Sequence, residues 1–158
     1  MLEIENVMET LIGLSEEKYG SLEKIYEFTK EQTTAIDDEN IELLNDFIDK
    51  KQIEINSIKA LDIKFEKIVD DIKVVYGIKE LKELNVCTEE VKRIQYIVDM
   101  IMKKVKQIHD IELKNSESLS KKKNAVESKI KDLKKGKKVV SNYGYNNLQN
   151  PVYFDKNR

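Results

Sequence analysis

A seven-residue apolar repeat between positions 41 and 76 is the feature that most constrains the fold. Nine of its eleven positions are apolar, and steps of three and four residues place them on one face of a helix. One seam contains Ile41, Ile48, Ile55, Asp62, Val69 and Tyr76, and the other contains Leu44, Lys51, Ile58, Phe65 and Ile72. A helix with this stripe must pack against another helix along most of its length, so the repeat predicts a helical bundle.

The segment before the repeat has the same helical period. Apolar residues recur at intervals of three and four through residues 2–36, which predicts one amphipathic helix. Asp37-Asp38-Glu39-Asn40 combines turn-favouring and N-capping residues with negative charge, so we expect a tight hairpin there. The whole chain of 158 residues has only five Gly and one Pro, too few for the many turns of an α/β enzyme.

A third helix is predicted from about Glu89 to Lys135. Gly77 is expected to end the second helix, Thr88 to cap the third and Gly136 to stop it. At 1.5 Å per residue the third helix would be on the order of 70 Å long. We therefore predict an all-α, elongated antiparallel bundle of three long helices.

Two regions follow from this pattern: a bundle formed by residues 1–136 and a flexible tail formed by residues 137–158. The tail holds the only Pro, several Asn and three Tyr, and it has no helical period. Its last aromatic run, Val152-Tyr153-Phe154, is compatible with folding back on the bundle or with docking on a partner.

Charge is distributed unevenly along the chain. Residues 1–50 hold 4 Lys against 14 Asp and Glu, a net charge of −10, whereas residues 103–138 hold 13 Lys against 5, a net charge of +8. Either the basic last helix lies beside the acidic first helix or in solvent, or it forms a binding surface for nucleic acid or an acidic protein. Arg occurs only at Arg93 and Arg158, which disfavours sequence-specific base recognition.

The third helix changes character midway. Its first seam positions are all apolar from Val91 to Ile108 and are predicted to be core, but Glu112 and Asn115 interrupt the seam. The later seam has Leu119, Val126 and Leu133, alternating with Lys122 and Lys129. We expect this second half to lack a partner within the chain and to become ordered on a ligand, or else to cover the end of the bundle.

The residues for catalysis or metal binding are few. Cys87 is the only cysteine and His109 the only histidine, which excludes an internal disulfide, a Cys-based zinc site and a two-histidine site. The glycines do not cluster, so no phosphate-binding loop is present. We predict a protein that is not an enzyme, uses no metal and no cofactor, and resides in the reducing cytoplasm, without membrane insertion or a small-molecule substrate.

Several strings resemble the FlgN/FliT-like flagellar export chaperones, a type III secretion chaperone family. Residues 28–36, 38–44, 48–52 and 58–62 are similar to the family's first helical hairpin. Lys135-Gly136-Lys137-Lys138-Val139-Val140, Tyr143-Gly144 and Tyr153-Phe154-Asp155-Lys156 are similar to the pattern that closes many members. This chain has Asn157-Arg158 where a run of Lys is usual.

The resemblance implies a chaperone that binds terminal helices of an axial client, prevents premature assembly and delivers the client to the flagellar type III export apparatus. The clients are flagellar hook-associated proteins, namely the hook-filament junction proteins in one branch and the filament cap protein in the other. It also implies that Tyr143 docks on the exporter. We predict that the client contacts Leu119, Val126, Ile130 and Leu133. The alternatives are a structural coiled-coil protein that self-associates through the same seams and, less favoured, a basic helix that binds nucleic acid non-specifically.

Overall fold

The computed structural model describes residues 4–84 and 88–136. Three long helices, α1 (Ile4–Asp37), α2 (Ile41–Tyr76) and α3 (Thr88–Gly136), follow one another, with a short 3-10 helix at Leu81–Glu83 before α3. Consecutive helices run antiparallel, so α3 runs in the same direction as α1. No strand occurs in these two described ranges, and the predicted all-α bundle is confirmed. The predicted tail, residues 137–158, lies outside the described residues.

The turn between α1 and α2 is as tight as its sequence predicts. The side chain of Asn40 accepts a hydrogen bond of 3.0 Å from the backbone N–H of Leu43 and so caps α2. The backbone N–H of Asn40 donates to the carbonyl oxygen of Ala35 at 2.8 Å, which closes the end of α1. At the other end of α2, Gly77 has a φ of 64°, the left-handed conformation that glycine adopts most easily, and ends the helix as predicted.

Three apolar clusters follow one another along the bundle, and α1 contributes to all of them. Their buried members are Met8, Leu11 and Ile72 at one end, Leu22, Ile25 and Ile108 in the middle, and Ala35, Ile36, Leu44, Ile48 and Leu119 beside the hairpin. The helix α1 contacts both α2 and α3 closely, whereas the backbones of α2 and α3 scarcely approach each other. The bundle is therefore an open one in which α1 lies between its two neighbours.

The seven-residue repeat of α2 faces this core. Leu44, Ile48 and Ile72 are buried, whereas Ile41 and Tyr76, at the two ends of the repeat, are exposed. The repeat thus identified the packing face correctly over most of α2.

Both polar residues in the repeat are charged side chains with a partner on another helix. Lys51 is buried, and its Nζ donates to Gln32 Oε1 at 3.0 Å and to Glu112 Oε1 at 2.7 Å. Asp62 Oδ1 accepts from Lys18 Nζ at 2.8 Å. A charge in a core position is costly unless it is paired. These contacts explain how the repeat tolerates two charged residues without interrupting the packing.

The predicted core of α3 between Val91 and Ile108 is wrong in part. Val98 and Val105 occupy predicted seam positions but are 39% and 47% exposed, whereas the neighbouring Ile97 is buried. The reason is the open arrangement of the bundle, because the backbones of α2 and α3 scarcely approach each other and the two helices meet mainly through side chains of the three clusters. The face of α3 toward the three clusters is covered, and the seam that includes Val98 and Val105 borders the uncovered side.

Candidate functional site

The packed part of the bundle extends as far as Leu119. This residue was predicted to contact the client, but the chain itself buries it. Leu119 is only 8% exposed and packs in the cluster that contains Ala35, Ile36 and Leu44. The prediction that Leu119 lacks a partner within the chain is therefore wrong. The reason is that the hairpin end of α1 and α2 reaches this far along α3 and covers the side chain.

The polar residues that interrupt the α3 seam are also part of the bundle. Asn115 is buried, its Oδ1 accepts from Thr33 Oγ1 at 2.7 Å, and its Nδ2 donates to the carbonyl oxygen of Thr29 at 3.3 Å. Glu112 accepts from the buried Lys51. Partners on α1 and α2 thus satisfy the polar groups of both residues, so α3 belongs to the core as far as Leu119, about three turns beyond the predicted boundary at Ile108.

One more contact marks where the hairpin stops. Lys122 Nζ lies 3.3 Å from Glu39 Oε1, in the turn that joins α1 and α2. We call residues 124–136 of α3 the distal segment, because it extends past this turn by about 20 Å at 1.5 Å per residue. From residue 124 to residue 135 every side chain is exposed except Ile130, which is half-buried.

The distal segment carries an apolar stripe with no mate on α1 or α2. Val126 is 41% exposed and Leu133 is 56% exposed, and neither they nor Ile130 belong to the three clusters of the core. At about 100° per residue, Ile130 and Leu133 lie within about 40° of Val126 around the helix axis. The three side chains therefore form one continuous stripe that a second helix could cover.

A groove runs between α2 and α3 and leads toward this segment. Its volume is about 440 Å³, and α1 forms its floor through Gln32 and Ile36. Its walls include Leu44, Ile48, Lys51, Gln52, Ile55 and Lys59 of α2 and His109, Glu112, Leu113, Asn115, Ser116 and Leu119 of α3. The groove exists because the backbones of α2 and α3 stay apart, and the contact between Lys51 and Glu112 crosses it.

Comparison with known proteins identifies the family. The family model described as FlgN protein matches residues 1–150 of the chain. The chain belongs to the FlgN family. No curated protein and no solved structure matches it significantly. FlgN membership indicates a flagellar export chaperone in general, and the family is one of chaperones that is not known for enzymatic activity.

This assignment to the FlgN family confirms the resemblance that was predicted from the sequence of the helical hairpin and of the C-terminal residues. The predicted exporter-docking residue, Tyr143, lies outside the described residues, as does Cys87. His109 is exposed on the wall of the groove.

Neither metal ligation nor a membrane span is found in the part of this FlgN-family chain that the structure describes. There, no group of three or more His, Cys, Asp or Glu residues could hold a metal ion. In the same residues, no helix combines the length and apolar character needed to cross a membrane.

The sequence did not reveal the groove. It arises from the separation of the α2 and α3 backbones, for which a seven-residue repeat contains no signal. The pairing of Lys51 with Glu112 could have been suspected, since both residues interrupt otherwise apolar seams and carry opposite charges.

Proposed function

We propose that this protein uses the distal segment of α3 to bind a terminal helix of an axial flagellar client. The observation that carries the proposal is the stripe formed by Val126, Ile130 and Leu133, which lies beyond the end of α1 and α2. A client helix with its own apolar face would supply the missing mate and form a short two-helix seam. Covering that face would also keep the client from assembling prematurely.

The energetics suit a cargo that must be released. Burying the three stripe side chains contributes about 1.5–3 kcal/mol each, and the client helix adds apolar surface of its own. Immobilising a client segment that folds on binding makes the binding free energy several kcal/mol less favourable. The balance corresponds to a dissociation constant of around 1 μM, equivalent to about −8 kcal/mol. The complex would form readily and still dissociate at the exporter.

We propose the specific partners from the resemblance to the flagellar export chaperones. The client is a hook-filament junction protein or the filament cap protein, and the site of action is the cytoplasm, before export. Delivery to the flagellar type III export apparatus is assigned to the tail, with Tyr143 as the docking residue. This assignment rests on the resemblance of the tail to the closing pattern of the family.

The exposed stripe also fits a second candidate function, self-association of this chain as a structural helical protein. Light scattering after size-exclusion chromatography, with and without a peptide of the client's terminal helix, distinguishes the two candidates. The chaperone account predicts that the chain is a monomer or weak dimer alone and forms a complex of defined stoichiometry with the peptide. A stable oligomer whose mass does not change on addition of the peptide would support self-association instead.

A further inference from the structure

Lysines border the apolar stripe of the distal segment on both sides. At about 100° per residue, Lys122 and Lys129 lie about 40° and 60° from Val126 on one side, and Lys123 and Lys134 lie about 60° and 80° from it on the other. Glu127 and Asp132 are farther from Val126, at about 100° and 120°, and Glu127 stands just outside the border formed by Lys123 and Lys134. A helix that covers the stripe would therefore have its two edges beside ammonium groups.

This basic charge begins where the acidic part of the molecule ends. Residues 121–136 hold 7 Lys against 2 acidic residues, a net charge of +5, whereas residues 1–50 have a net charge of −10. An ion pair between Lys122 and Glu39 joins the two regions at the hairpin turn. Lys129, Lys131 and Lys135 follow in the distal segment, past the turn at which α1 ends and α2 begins.

The same charge argues against a second copy of this chain as the occupant. Pairing two distal segments, parallel or antiparallel, would bring two segments of net charge +5 together, and like charges beside a seam are unfavourable. The acidic α1 cannot cover the stripe of another copy, because its large apolar side chains face its own core. On α2, Ile53 and Ile63 lie ten residues apart, and Val74, Val75 and Tyr76 are consecutive residues about 100° apart around the helix, so neither set matches the stripe. On α3, Val98, Met102 and Val105 form an exposed stripe, but residues 92–114 hold six Lys and Arg against three acidic residues, so a distal segment would again meet like charge there.

We propose that the distal segment selects a helix whose apolar stripe is bordered by Glu and Asp and rejects one bordered by Lys. This inference rests on the proposed function and specifies the chemistry of the partner. Apolar contact supplies the affinity. The lysine borders supply the selectivity, because they attract Glu and Asp on the bound helix and repel Lys. The edges of the seam face solvent, so the discrimination is expected to weaken as salt screens the charges.

Two synthetic helical peptides test this inference. They share one apolar stripe and differ only in having Glu or Lys at the bordering positions, and fluorescence anisotropy measures their affinity for the full chain. We expect the Glu peptide to bind at least about tenfold more tightly in 50 mM salt and this ratio to fall at 300 mM. The affinity for duplex DNA of mixed sequence is measured in parallel, because the DNA phosphates would also bind lysines.

Two variants of equal charge change serve as test and control. Lys129→Glu/Lys134→Glu alters both borders of the stripe, whereas Lys131→Glu/Lys135→Glu alters the far side, about 140° and 180° from Val126. The first variant should lose or reverse the preference for the Glu peptide, and the second should keep it. Because both variants change the net charge equally, a difference between them cannot come from net charge alone.

The remaining outcomes are also decisive. Equal affinity for the two peptides would overturn the charge selectivity while leaving the proposed function intact. Binding of neither peptide, with the helical content of the chain unchanged, would overturn both. Tighter binding of DNA than of the Glu peptide would replace an acidic helix with nucleic acid as the ligand.

Discussion

Replacing Val126, Ile130 and Leu133 together by serine is expected to weaken binding of the client's terminal helix by at least about 100-fold. The three changes remove the apolar stripe, and a loss of about 3 kcal/mol corresponds to that factor. The fold should tolerate them, because these side chains lie outside the three core clusters. Isothermal titration calorimetry with a client peptide measures the affinity, and circular dichroism measures the thermal unfolding of the chain.

A matched control comes from the exposed apolar residues of α2. Ile53→Ser/Ile63→Ser/Val74→Ser removes three exposed aliphatic side chains from another helix and has a similar cost in helix propensity. Its client affinity should stay within about twofold of that of the unmodified chain. If the control weakened binding as much as the distal triple variant, the client would not be recognised at the distal segment.

Leu119→Ala is expected to lower the free energy of unfolding by about 2–4 kcal/mol, which is typical of emptying a buried leucine site. The side chain is 8% exposed among residues of α1 and α2. Val126→Ala, seven residues farther along α3, should change the same free energy by less than about 0.5 kcal/mol, because Val126 is exposed and lies beyond the hairpin. Urea denaturation followed by circular dichroism measures both values.

The pair of variants tests where the bundle stops. Equal destabilisation by the two substitutions would mean that residues past the hairpin turn contribute to the core. Negligible effects of both would mean that Leu119 is not held by α1 and α2.

The elements of the fold were predictable because their signals are local. The hairpin follows from the capping preference of Asn40, and the end of α2 follows from the left-handed conformation that Gly77 adopts easily. The repeat of α2 predicted which face is buried. Each of these features depends on residues that are neighbours along the chain.

The α3 predictions failed where the result depends on how the helices are placed. Val98 continues a regular seam, but it is exposed because the backbone of α2 stays away from that of α3. Leu119 stands in a sparse seam, but it is buried because α1 and α2 extend to its level. A periodic pattern states which face of a helix is apolar. It does not state how far a partner helix extends or how closely a second one approaches.

The candidate site was therefore predicted in part. The stripe at Val126, Ile130 and Leu133 was found from its spacing, and the structure places it past the end of α1 and α2. The sequence shows that this part of α3 is rich in lysine. That the lysines lie beyond the acidic hairpin is known only from how α3 packs on α1.

Hydrogen exchange along α3, measured with and without a saturating client peptide, tests the central claim most directly. The claim predicts that amides of residues 124–136 exchange rapidly in the free chain and become at least about tenfold more protected in the complex. Amides of residues 97–119 should be protected in both states, because they lie in the bundle. Distal amides that are already as protected as those of the bundle in the free chain, and that do not change when the client binds, would contradict it.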